Sequence, residues 1–82
     1  MRIIELSASA KSFLSKVDKP TAKKLVHKIN LLSTNPQTLQ IKKLKGEKGV
    51  YRIRQGNFRI LFEIYEEVIL ITKIGDRKDI YK

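Results

Sequence analysis

An α+β domain, with a helical hairpin packed on one face of a mostly antiparallel four-stranded sheet, is predicted by three features of this 82-residue chain. Apolar side chains recur every third or fourth residue from Ala10 to Leu32, the spacing of one helix face, and every second residue from Tyr51 to Ile64, the spacing of one strand face. Two prolines, Pro20 and Pro36, punctuate the helical half. The resulting order, β-α-α-β-β-β in a single domain over 1–82, places helices on one side of a small sheet.

The first strand is Met1 to Leu6 (MRIIEL), short and apolar. Ser7 or Ser9 then caps a helix whose stripe is Ala10, Phe13, Leu14 and Val17. Asp18-Lys19-Pro20 breaks it and opens a second helix, because proline fits only a first turn and aspartate is a good cap. Ala22, Leu25, Val26, Ile29 and Leu32 form the second stripe, with Lys23, Lys24 and Lys28 towards solvent, and Asn35-Pro36 ends it. Residues 37 to 49 read as a polar connection.

The hairpin follows. Tyr51 and Ile53 share one face of its first strand, and Arg52 and Arg54 the other. On its second strand Phe58, Ile60, Phe62 and Ile64 oppose Arg59, Leu61, Glu63 and Tyr65. Gln55-Gly56 or Gly56-Asn57 supplies a two-residue turn, and either keeps the three arginines together, opposite Arg59 or one pair removed. Glu66-Glu67 turns into Val68 to Ile74 (VILITKI), whose β-branched content predicts a central strand. Ile74 then falls beside Arg59, and the tail brings Arg77 and Tyr81 within reach of the cluster. The apolar face, with Ile69 and Ile71, meets the helices, which assigns the arginines to the opposite, accessible side.

Net charge is +10, and seven cations lie between Lys42 and Arg59 against only Glu47. Such a localised excess is the footprint of nucleic-acid binding, and it includes Lys42, Lys43, Lys45 and Lys48. Like charges opposite one another on a sheet cost roughly 0.2–1 kcal/mol, so stability alone does not ask for three arginines on one face. Guanidinium forks bind phosphate oxygens bidentately, which gives the face a use. With no cysteine and a single His27, neither a disulfide nor a metal site is expected, and no cofactor. No apolar run reaches membrane-spanning length and no signal-peptide core is present, so the expected location is the cytoplasm.

Three segments, LKG at 44–46, YRIRQGNFRILFEI at 51–64 and IGDRKDIY at 74–81, set in this element order, resemble the RelE/ParE superfamily of bacterial and archaeal toxins. The resemblance covers essentially the whole chain. It implies the toxin of a type II toxin–antitoxin system: in the RelE branch a ribosome-dependent endoribonuclease cutting messenger RNA in the A site, in the ParE branch a DNA gyrase inhibitor without nuclease activity. The RelE site is a basic patch on the sheet with an arginine and a tyrosine near the C-terminus, and those roles map onto Arg52, Arg54, Arg59, Arg77 and Tyr81. RelE is therefore the favoured branch. The resemblance also implies a cognate acidic antitoxin and a higher-order toxin–antitoxin oligomer.

RelE-like enzymes often carry lysine where this chain has Arg52 and Arg54, and arginine holds its proton at any physiological pH. The site then works by electrostatics and orientation, or the proton passes to Lys45, Tyr81 or Glu63. For Glu63 the commoner role is to neutralise nearby cations. Asp76 and Asp79 are expected to orient Arg77 and the tail.

Overall fold

The computed structural model describes residues 2–44, 46 and 49–76. Strand β1 (Ile3–Leu6) leads into helices α1 (Ala8–Lys16) and α2 (Lys19–Thr34), then a 3₁₀ turn (Pro36–Thr38), and strands β2 (Lys42–Lys43), β3 (Val50–Gln55), β4 (Phe58–Ile64) and β5 (Val68–Asp76). The sheet order is β1-β5-β4-β3-β2, with β1 parallel to β5 and the other pairs antiparallel. The expected four-stranded sheet is thus five-stranded. The added strand is the edge pair Lys42–Lys43, two residues being too short to show a period in sequence.

Ser7 caps α1, accepting from the Ala10 amide at 3.1 Å, and its own hydroxyl donates to the Thr72 carbonyl at 2.8 Å. One side chain therefore fixes both the start of the helix and its seat on β5. Ser7→Ala loses a cap and a half-buried hydrogen bond together, and is expected to cost about 1–3 kcal/mol in urea unfolding. A midpoint unchanged from wild type would refute that pairing of roles. Asp18 caps α2 in the same manner, and hydrogen bonds from the Thr21 side chain and amide hold its carboxyl below the usual carboxylate range.

Ala10, Leu25, Ile29, Leu32, Ile53, Ile60, Phe62, Ile69, Ile71 and Ile74 form one buried core between the helices and the sheet. Phe13 meets Phe58 edge-on, and Tyr51 stacks on Phe62, each pair with centroids 5.8 Å apart. Two residues assigned to this core do not reach it: Val26 and Ile64 are exposed. Val26 stands on the solvent side of the α2 stripe, and Ile64 at the last position of β4.

The departure that matters most lies in β5. A regular ladder from the Glu66-Glu67 turn puts Lys73 opposite Ile60 in the core and Ile74 opposite Arg59. Instead Phe62 pairs with Ile71 and Leu61 with Lys73, leaving Thr72 bulged out of the ladder. One extra residue resets the alternation. Ile74 moves into the core opposite Ile60, Lys73 is expelled to the arginine face, and Gly75 takes the place beside Arg59. The Thr72 hydroxyl, donating to the Leu61 carbonyl at 3.2 Å, and the Ser7 bond hold the bulge.

Candidate active site on the sheet

Gly56 and Asn57 form the hairpin turn, Gly56 at φ +59° and Asn57 at negative φ, the type II′ pattern. This choice makes Gln55–Phe58 the closing pair and sets Arg54 directly opposite Arg59. The Arg54–Arg59 pair is then of the closer, non-hydrogen-bonded kind, with Cα atoms roughly 4.5 Å apart. One pair further along, Arg52 stands between Lys42 of β2 and Leu61 of β4, whose far neighbour is Lys73. Alternation carries all of these side chains to the face away from the helices.

Orientation agrees with the sequence reading; exposure does not. Arg54 is open to solvent, but Arg52 is only 8% exposed and Arg59 only 6%. Both lie on strands with neighbours on either side, so adjacent rows flank their stems. The face is therefore not a uniformly accessible cationic surface. Burial strengthens a guanidinium's field, because less water screens it.

Two hollows divide the three arginines. A small one of about 50 Å³ lies at the turn, lined by Arg54, Gly56, Asn57, Phe58 and Arg59. A larger one of about 200 Å³ lies at the outer edge of β3, lined by Lys28, Thr38, Gln40, Lys42, Arg52, Ile53 and Arg54. Arg54 is their common wall. Lys28 and Gln40 are residues that sequence reasoning did not select, and Lys28, expected in solvent, is half-buried. The available signal was its position, three residues after Leu25 and four before Leu32, on the flank of the apolar stripe.

Glu63 sits four residues along β4 from Arg59, roughly 13 Å at strand rise, and accepts a hydrogen bond from the Tyr65 hydroxyl. That bond pushes the Tyr65 phenol above its usual range. Glu63 is thus engaged with Tyr65, well removed from the arginine pair. Lys42 and Lys43 are exposed on β2, with Lys42 in register with Arg52 and Lys43 with Tyr51. Asp76 closes β5 opposite Phe58. Lys45, Lys48, Arg77, Asp79 and Tyr81 lie outside the described residues.

Residues 4–81 match the ParE toxin family of type II toxin–antitoxin systems. The chain belongs to that family. It stands within the RelE/ParE superfamily, and its sequence relatives carry the RelE name. The RelE1 protein of Methanocaldococcus jannaschii is 40% identical over 65 residues, 73% of this chain and 72% of that protein. Toxin RelE3 of the same organism is 44% identical over 52 residues, 63% of this chain, and the match spans 59% of its own length. A chain of the RelB–RelE antitoxin–toxin complex from Methanococcus jannaschii superposes with a TM-score of 0.78 at 29% identity, each chain covered to 95%. A chain of the RelBE2 complex from Mycobacterium tuberculosis, at 22% identity, shares the fold with a TM-score of 0.79 over 93% of this chain and 98% of that one. Among the described residues no helix is long and apolar enough to cross a membrane.

Proposed function

We propose that this chain is the toxin of a toxin–antitoxin pair and that it cleaves messenger RNA on the ribosome, with Arg54 and Arg59 gripping the scissile phosphate. The observation that carries this reading is the Arg54–Arg59 pair, two guanidinium groups set directly opposite one another on a hairpin at a cost that only an anion between them offsets. The RelE names of its sequence relatives support the same branch.

In the proposed reaction the ribose 2′-oxygen attacks the adjacent phosphorus and the bond from phosphorus to the 5′-oxygen breaks. The products are a 2′,3′-cyclic phosphate and a 5′-hydroxyl, so one proton leaves the 2′-oxygen and one reaches the 5′-oxygen. Negative charge grows on the non-bridging oxygens during attack, where fixed guanidinium groups stabilise it most. Neither Arg54 nor Arg59 is suited to take the 2′ proton, since guanidinium stays charged. Glu63 is disfavoured as the base by its distance and its bond to Tyr65. The proton transfer falls to Tyr81, to Lys45, or to the ribosome-bound RNA and its solvent, while Arg77 joins the phosphate grip. Lys42, Lys43, Lys45 and Lys48 bind the RNA backbone, a contribution that weakens with salt. The expected protein partner is an acidic antitoxin segment that folds on the +10 toxin, within a higher-order assembly.

Purified protein incubated with translating ribosomes is expected to produce new messenger ends carrying 5′-hydroxyl groups. The match to the ParE family supplies the competing result. If no new ends form and gyrase supercoiling is inhibited instead, the nuclease reading is wrong and the arginine face is a docking surface.

A further inference from the structure

We propose that the hollow at the outer edge of β3 is a second oxyanion site, one that holds a phosphate group apart from the Arg54–Arg59 pair. β2 covers β3 only at Tyr51 and Arg52, so past Arg52 the sheet edge is met by α2 and the 3₁₀ turn, and not by a strand. Into the resulting gap of about 200 Å³ the structure brings Lys28 from α2, Lys42 from β2, and Arg52 and Arg54 from β3. Gln40 adds an amide, and no acidic side chain is among the described lining residues.

The decisive group is Arg52. Its side chain is 8% exposed, and its Nε–H is buried with no hydrogen-bond partner among the described residues. A buried guanidinium donor left unmatched is costly, and buried polar groups in folded proteins almost always have a partner. An anion in the hollow supplies one, and it also relieves the repulsion among the surrounding cations. The size argues for a small ion. Clefts that enclose drug-sized ligands run to about 300–1,000 Å³, so this one suits a phosphate with some water and not a nucleoside.

Phosphate is the shared chemistry, and its source is either the free ion or a nucleic-acid backbone whose next phosphate is held by Arg54. The site does not depend on RNA cleavage, because it is read without ribosomes. The test is a titration of the ¹⁵N-labelled protein with inorganic phosphate at fixed ionic strength, following the Arg52 Nε–H resonance by NMR. A saturable shift is expected. Lys28→Gln removes one charged donor and Gln40→Glu places a carboxylate in the wall, and each is expected to weaken binding about tenfold or more. Lys23→Gln and Gln37→Glu make the same charge changes away from the hollow and should leave the affinity unaltered. A parallel titration with a diribonucleotide, which carries one phosphodiester, separates the sources: a shift of the same resonance assigns the site to RNA backbone, and silence there assigns it to the free ion. A non-saturating drift with both ligands, or equal weakening by the two control variants, overturns the proposal.

Discussion

Arg59→Ala is expected to lower messenger cleavage on translating ribosomes about 100-fold or more, the loss typical of removing one fixed donor from a developing oxyanion. Arg59 is the arginine held most firmly, on an interior strand, 6% exposed, with Arg54 on one side and Gly75 on the other. A rigid, partly desolvated guanidinium needs little reorganisation as charge builds on the phosphate, which is why its loss should fall on kcat more than on KM. Arg59→Lys keeps the charge but not the planar fork, so it should recover only part of the rate. Lys73→Ala, an exposed cation on the same face, should change cleavage little and chiefly through salt-dependent binding. Because Arg59 is buried, each variant's thermal melt accompanies the rate. Cleavage within about threefold of wild type by a folded Arg59→Ala protein would remove Arg59 from the phosphate grip.

That this site was partly legible in sequence follows from how little of it depends on long-range detail. Gly56 limits the turn to two alternatives, and a strand period of two keeps Arg52, Arg54 and Arg59 on one face under either. The helix caps were equally local: Ser7 and Asp18 each sit where a short polar side chain meets the first turn of an apolar stripe. What was hidden depends on neighbours. Nothing near Thr72 marks a bulge, since neither glycine nor proline stands beside it, and only the need to keep Lys73 out of the core and Ile74 in it signals the break. The burial of Arg52 and Arg59 is set by which strands flank them, and β2, the flank of Arg52, is two residues of an otherwise polar connection. The edge hollow joins α2, the 3₁₀ turn and β3, three segments whose juxtaposition no local pattern encodes.

Phe62→Ala is expected to cost about 3–5 kcal/mol of folding free energy, the range for deleting a buried aromatic side chain. Phe62 is fully buried, stacked on Tyr51 at 24° between ring planes, and in register with Ile71 beside the bulge. Its loss removes apolar burial and the stacking contact and also opens a cavity where Leu25, Ile29, Ile60 and Ile71 leave little slack, all being 2% exposed or less. A domain of this size has roughly 4–12 kcal/mol of stability in total, so one substitution takes a large share of it. The bulge adds a second consequence. Phe62 pairs with the last regular residue of β5 before Thr72, so it anchors the point at which the ladder shifts, and the arginine face beyond that point depends on the shift being held. Urea unfolding should show a much lower midpoint for Phe62→Ala, while Ile64→Ala, at 38% exposure two residues away, should cost well under half as much. Equal losses at the two positions would mean that Phe62 is not the centre of the core, and that the helices do not seat over the middle of β4.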